Sequence, residues 1–356
     1  MPEVHVADGD DWVSPAGSRS PRGATFDGPR ILLDSDFAPD VDDAVALAQL
    51  HGHTNLGETE MLGTVLTASC DYSAGAMDAF NIWHGRSSIS VGAIQVGGLP
   101  DTADPCDVWL GDYATPVYNN YPRNLGLRST VDDVVDTYRT ILAAAPDGSV
   151  DIVTIGFLNG VELLLKSAGD AIDDRDGVTL VADKVRRLTT MGGSTTHNHQ
   201  SWNFHGNNTQ AVTDAWLYCE TNWPSQVPWH FCPSDGENHS WGSSQWDGGN
   251  GIGVGVDAPN QPVDHILRRA MNEFGETDDG NGIHLADPAT VYYVARPDEF
   301  AVRRGTMSST DTNGRTTWSD DESGPHWCVD GYTANGGGTQ ALADAIEPLL
   351  WHEEAA

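Results

Sequence analysis

Short apolar runs and helically spaced apolar positions take turns along this chain. Ile31-Leu32-Leu33 is a continuous apolar run, and Val41, Ala44, Val45, Leu47, Ala48 and Leu50 follow at helical spacing. The pair predicts a buried strand, a loop and an amphipathic helix. Glu60 to Leu66 predicts a second strand, Ser73 to His84 a helix, and Ile89 to Val91 a short strand. Val131, Val134, Val135, Tyr138, Ile141 and Leu142 have helical spacing, Asp151 to Phe157 is a buried strand, and Val161 to Lys166 opens a helix. Val185 to Met191 is a strand ending in Gly192-Gly193, Thr209 to Cys219 a helix, and Gln226 to Cys232 extended. His265 to Phe274 and Leu342 to Leu350 read as helices. Residues 95–127 and 233–262, rich in Gly, Pro and Asn, read as loops, the second either a lid or a surface insertion. Alternation of this kind predicts an α/β protein with an open, mostly parallel sheet flanked by helices. Neither a linker nor a repeat interrupts it, so residues 30–356 are expected to form one domain behind a polar arm over 1–29.

Charge changes the picture most. The 356 residues carry 18 Lys+Arg against 52 Asp+Glu, a net charge of −34. Such a surface repels nucleic acid and anionic membranes. Only Lys166 and Lys184 are lysines; the remaining basic residues are arginine. A globular composition this acidic and lysine-poor is expected of a halophile, whose salt screens the self-repulsion. Twelve tryptophans and 39% apolar residues argue against a disordered acidic chain. No apolar run reaches membrane-spanning length. The N-terminus lacks a basic, then apolar, leader pattern, so the expectation is a cytoplasmic protein in a high-salt cytosol, with secretion left open. Cys70, Cys106, Cys219, Cys232 and Cys328 have no metal-type spacing and are read most simply as free thiols, a Cys219–Cys232 pair staying open.

The candidate chemistry sits where the first strand meets the first helix. Asp34, Asp36, Asp40, Asp42 and Asp43 fall within ten positions. Helix capping by Asp40 or Asp42 accounts for one or two of them. It does not account for Asp34 and Asp36 at the mouth of an apolar strand. Carboxylates this dense repel one another unless a cation sits among them, and a hard dication such as Ca²⁺ or Mg²⁺ is the natural partner. In open α/β sheets, ligands bind outside the carboxyl ends of the strands. Three more segments place polar groups just past predicted strand ends. They are Gly156-Phe157-Leu158-Asn159-Gly160, Ser201-Trp202-Asn203-Phe204 and Ala286-Asp287-Pro288, the last before the apolar run Thr290 to Val294.

Taken in order, these elements resemble the inosine–uridine-type nucleoside hydrolases over about residues 30 to 350. The family's hallmark is D-x-D, a short loop and D-D-A; here it stands as Asp34-Ser35-Asp36-Phe37-Ala38-Pro39-Asp40-Val41-Asp42-Asp43-Ala44, the longer loop of a related branch. The resemblance implies a Rossmann-like nucleoside hydrolase fold and Ca²⁺-dependent cleavage of N-ribosyl bonds. Its partner would be a small-molecule nucleoside, with a homo-oligomeric assembly compatible with it. By the same resemblance Asp36, Asp43, Asp287 and the Asn159 carbonyl would bind Ca²⁺, and Asp36 would take a proton from water. Asp42 and Asn203 would hold sugar oxygens, Asp34 would shape the loop, and Asn198 and Trp202 would meet substrate, Trp202 by stacking on a base.

The chain departs from the family pattern at three places. Ser201 stands for the Glu before W/F-N, Cys70 for the Asn after the second strand, and Ala286 for the His before the metal-binding Asp. Of His197, His199, His205 and His284, which fall near the presumed site loops, His284 is the best leaving-group acid. Loss of an acid at position 286 implies a purine preference. A metal-containing sugar- or nucleoside-binding protein without turnover, and a hydrolase of another ribosyl substrate, are the competing readings.

Overall fold

The computed structural model describes residues 27–38, 40–68, 70–95, 113–195, 201–206, 209–233, 264–274 and 285–351. The apolar run after Pro29 forms β1 (Arg30–Ser35), followed by α1 (Asp42–Asn55), β2 (Glu60–Leu66), α2 (Ser73–Trp83) and β3 (Ser90–Ala93). Next come α3 (Ala114–Asn120), β4 (Asp132–Asp133), α4 (Val134–Ala144), β5 (Val150–Thr154), α5 (Asn159–Lys166), α6 (Gly177–Lys184) and β6 (Val185–Met191). A single turn, α7 (Trp202–His205), leads to α8 (Gln210–Asn222), β7 (Trp229–Cys232), α9 (Ile266–Phe274) and α10 (Ala286–Ala295). An antiparallel segment, β8 (Phe300–Ser309), β9 (Thr316–Asp320) and β10 (His326–Tyr332), precedes α11 (Gly338–Leu350).

Among the described residues the strands form one ten-stranded sheet in the order β4-β3-β2-β1-β5-β6-β7-β10-β8-β9. Pairing is parallel from β4 through β10, and antiparallel only for β10–β8 and β8–β9. The expected open, mostly parallel α/β sheet is therefore what the chain forms. The chain winds outward from β1 through β2 and β3, then returns to β5 on the other side of β1. That reversal opens a crevice at the carboxyl ends of β1 and β5, the usual ligand position of such sheets. Two apolar clusters, one on each face, hold the helices to the sheet; α1, α2, α9, α10 and α11 cover one face, and α4, α5, α6 and α8 the other.

Several sequence expectations change. α1 is buried over Asp42 to His53, so it is an interior helix rather than the amphipathic one expected. Thr290 to Val294 belongs to α10, and Asp287 lies in that helix's first turn rather than past a strand end. The segment 95–127, read as loop, contains α3, and α6 and the β8–β10 segment were not anticipated. Cys70 is disulfide-bonded, which corrects the free-thiol expectation there. Cys219, Cys232 and Cys328 are free and buried, so Cys219 and Cys232 do not pair. No helix among the described residues is long and apolar enough to cross a membrane. The 233–262 loop lies outside the described residues apart from Pro233.

Candidate metal and substrate site

The site assembles at the β1–β5 crevice. β1 delivers Asp34 and, one residue past its end, Asp36. The loop then turns through Ala38, whose φ of 142° is a conformation L residues rarely adopt, and enters α1 at Asp42. β5 ends at Thr154, and Gly156 lets the next loop lie against the acidic one: a Cβ there would collide with the Asp36 nitrogen. Gly160 does the same for the start of α5, where a Cβ would lie 2.8 Å from Asp34 Oδ2. These contacts bring Asn159, the first residue of α5, to the same crevice. Its Nδ2 donates to the Ala211 carbonyl at 3.1 Å, and its Oδ1 is buried without a partner.

α10 packs along α1 so that the two helices begin side by side. The Asp287 amide donates to Asp42 Oδ2 at 3.4 Å. Asp42, Asp43 and Asp287 each offer a carboxylate oxygen, and these oxygens lie within 4.8 Å of one another. The three are 4%, 2% and 2% exposed, and Asp36 is 4% exposed. Helix N-termini carry partial positive charge, which eases carboxylates in first turns but does not neutralise three of them.

Burial dominates the electrostatics. It pushes Asp34 up to about 8, against hydrogen bonds from Tyr138 and Thr67, with the Asp36 charge adding to it. The Tyr138 hydroxyl donates to Asp34 Oδ2 at 2.5 Å. Burial pushes Asp36 up to about 7; its own backbone and a hydrogen bond from the Trp202 side chain oppose this, and Asp40 reinforces it. Asp42, Asp43 and Asp287 are all raised well above the ordinary range, by burial first; the charges of Asp40 and Asp36 add to this for Asp42, those of Asp36, Asp42 and Asp40 for Asp43, and those of Asp42, Asp43, Asp36 and Asp40 for Asp287. The Ser35 hydroxyl donates to Asp43 Oδ1 at 2.5 Å, but Asp287 Oδ1 is buried with no partner. The groups that hold these carboxylates down are thus neutral donors: a hydroxyl, backbone amides and an indole. A buried carboxylate cluster with an orphaned oxygen could hold a metal cation that takes oxygen ligands.

Asn203 and Trp202 join the site from α7. The Asn203 amide nitrogen donates to the carbonyls of Ile155 at 2.7 Å and Met191 at 3.0 Å, tying together the ends of β5 and β6. Its Oδ1 is left without a partner, as is the buried Ser201 hydroxyl beside it. Gly192, at φ 144°, passes close to Phe204 and Ser201 and so seats this turn on the sheet end. Trp202 packs on Phe157 with ring centroids 6.3 Å apart, besides bonding Asp36.

The structure therefore brings Asp34, Asp36, Asp42, Asp43, Asn159, Trp202, Asn203 and Asp287 to one crevice. The closest carboxylate triad contains Asp42 where the resemblance implied Asp36. Asn198 and His284, and with them His197 and His199, lie outside the described residues. Sequence reading missed Tyr113. Its ring meets Phe37 of the acidic loop at 5.1 Å, and its hydroxyl is buried without a partner. One tyrosine beside a Gly- and Pro-rich stretch carries no periodic signal that would have singled it out.

No protein-family model and no curated protein matches the sequence. Solved structures do match its fold. The chain is similar to an inosine-uridine preferring nucleoside hydrolase from Bacillus anthracis, at 15% identity and a TM-score of 0.61, over 90% of this chain and 99% of that one. It is similar to a plant nucleoside hydrolase at 17% identity and a TM-score of 0.62, over 90% and 98%. It is also similar to the type III effector XopQ, solved with adenosine diphosphate ribose, at 14% identity and a TM-score of 0.61, over 91% and 95%. At these identities the likeness is one of fold.

Proposed function

We propose that the protein is a Ca²⁺-dependent hydrolase of N-ribosyl bonds, acting on ribonucleosides to release base and ribose. The observation that carries this reading is the buried triad of Asp42, Asp43 and Asp287 at the sheet's switch point, with an orphaned oxygen on Asp287. The nucleoside hydrolases among its fold neighbours support it. Asp42, Asp43 and Asp287 would hold the ion, with Asp36 and the Asn159 carbonyl as further oxygen donors. A bound Ca²⁺ would accept water and sugar hydroxyls together and make the water more acidic.

The chain's own residues do the rest. Asp36, held by Trp202, accepts the proton of the attacking water. Departure of the base leaves positive charge on the sugar ring, and the surrounding carboxylates stabilise it in a site nearly closed to solvent. Asn203 Oδ1, without a partner among the described residues, accepts a hydrogen bond from a sugar hydroxyl. Ala286 stands beside Asp287 at the start of α10 and has no proton to give a leaving base. A purine, whose ring nitrogen solvent can protonate, depends less on a fixed acid, so inosine is expected to exceed uridine in kcat/KM.

The test is ribose release from inosine with Ca²⁺ and after thorough chelation. Turnover should need the ion, and Asp36→Asn should lower kcat by about 10²–10⁴-fold, the usual worth of a general base. Undiminished turnover in chelator would end this reading. The second reading, a hydrolase or binder of a larger ribosyl compound, is favoured by the short Ser201 in the site and by the XopQ complex. ADP-ribose turnover or binding in place of inosine turnover would select it.

A further inference from the structure

Tyr113 is fully buried at the start of α3, and among the described residues no atom accepts or donates a hydrogen bond at its hydroxyl. A buried phenol normally finds a partner, since an unmade hydrogen bond there is costly. The ring is fixed on two sides. Phe37 meets it edge-on at 5.1 Å and 73°, and Phe274 of α9 at 6.5 Å and 73°. Phe37 follows Asp36 directly, so the contact seats the tyrosine against the acidic loop. The carboxylates of Asp43, Asp40, Asp42 and Asp36 all act on the phenol electrostatically. The site's other buried atoms without a partner are mainly acceptors, the Asp34, Asp287, Asn159 and Asn203 side-chain oxygens, alongside the Ser201 hydroxyl. An oxygen held among them, whether of a water or of a sugar hydroxyl, has lone pairs as well as protons, and it needs a donor. Tyr113 is a donor with nothing to give to.

We propose that Tyr113 is a positioning residue of this site, donating a hydrogen bond to a ligand oxygen held in the aspartate pocket. The inference rests on the reading of the site as a cation and sugar site, and it explains why a hydroxyl is kept where phenylalanine would pack as well.

The experiment compares wild type with Tyr113→Phe, which removes one oxygen and keeps the ring contacts. Three readouts are taken: the thermal midpoint in chelator, Ca²⁺ affinity by calorimetry, and ribose affinity in saturating Ca²⁺. The midpoint in chelator is expected to be unchanged or raised, because an unpartnered buried hydroxyl is removed; a structural role would lower it. If the oxygen belongs to a water of the ion site, Ca²⁺ affinity falls about tenfold, the order one such hydrogen bond is worth. If it belongs to the sugar, Ca²⁺ affinity holds and ribose affinity falls by about the same factor. Unchanged affinity for both, or a midpoint that drops in chelator, overturns the proposal. Failure of the hydrolase reading shows separately, as a wild-type protein that binds Ca²⁺ yet turns over no nucleoside.

Discussion

At its N-terminus α1 carries Asp42 and Asp43, buried beside Asp36 and Asp287; at its C-terminus the same helix carries His51 and His53, buried near His84 and His265. Burial drives both groups toward neutrality, in opposite directions. The carboxylates rise, and the imidazoles fall: His51 well below its ordinary value, by burial and then by His84 and Arg86, His84 to about 3 and His265 to about 4. The histidine end resolves this within the protein. His51 Nε2 pairs with Asn81 Oδ1 at 3.0 Å, and His53 Nδ1 with Glu58 Oε2 at 2.6 Å. His51 and His84 stack at 4.5 Å, as neutral rings can. The acidic end has neutral donors too few for its oxygens, and its charges reinforce one another. The histidine end keeps unpartnered atoms as well, at His84 Nε2, His265 Nδ1, Gln49 Oε1 and Asn81 Nδ2, but its rings escape charge by staying neutral. At the acidic end the unpartnered oxygens belong to carboxylates whose charges reinforce one another, a cluster that could hold a metal ion. Polar burial alone does not mark a function; buried like charges with no counter-charge among the described residues do.

Removing a carboxylate should give the largest effect and would break the comparison if it did not. Asp287→Asn is expected to lower nucleoside turnover by about 10²–10⁴-fold and to weaken Ca²⁺ binding. In chelator the same variant should unfold at a higher temperature than wild type, because one of several repelling buried charges is gone. A stabilised but inactive protein marks a ligand site. A destabilised one would mean that Asp287 serves the fold instead, like the histidines at the far end.

The pattern of legible and illegible features follows the same division. β1, β2, β5 and β6 were readable because central parallel strands are continuous apolar runs. The acidic loop was readable because no structural role needs five aspartates in ten positions. α10 misled because every residue from Ala286 to Val294 is buried, so no polar face marks a helical period, and Thr, Val and Tyr favour strands. That error moved Asp287 from a helix start to a strand end without removing it from the site. The β8–β9 edge was missed because its half-exposed, Ser- and Thr-rich strands resemble loop. The acid-to-histidine contrast along α1 was invisible because it depends on burial, which the sequence of an interior helix does not express.

The pH dependence of stability sharpens the contrast. In metal-free protein Asp34 and Asp36 have folded values of about 8 and 7, above their unfolded values. Their contribution is fully present below about pH 4 and is lost as pH rises through 7 to 8. Each such group costs about 1.4 kcal/mol per pH unit where its protonation differs fully between the folded and unfolded states. The buried histidines have the opposite sign. Their contribution is present above pH 6.5 and is lost as pH falls toward 4 and 3. On the proposed reading Ca²⁺ would bind the ionised carboxylates, so its stabilisation would grow with pH; at a hundred times its dissociation constant it would add about 2.7 kcal/mol. The midpoint difference between Ca²⁺ and chelator should therefore widen from pH 5 to pH 8. A difference that is constant across this range would detach the ion from these aspartates.

The smallest effect concerns the histidine end alone. His84 Nε2 has no partner, and its ring lies on His51 at an interplanar angle of 14°. His84→Phe keeps a flat ring there and removes a group that must stay unprotonated in the fold. At pH 8 both proteins carry a neutral ring, so their stabilities should match closely. At pH 5 the wild type gives up stability because unfolding lets His84 take a proton, which burial, His265 and Arg86 deny it in the fold. The variant escapes that loss. Because His84 is half-buried as a residue, though its Nε2 is covered, solvent screening trims the expected gain to about 1 kcal/mol. Urea unfolding at the two pH values measures it, and the difference between them cancels any packing change common to both. The Ca²⁺-dependent shift should be the same in variant and wild type at each pH, since the substitution leaves the far end of α1 untouched. If His84→Phe instead changed the Ca²⁺ response, the two ends would be coupled through the helix and could not be read as independent solutions to the burial of charge.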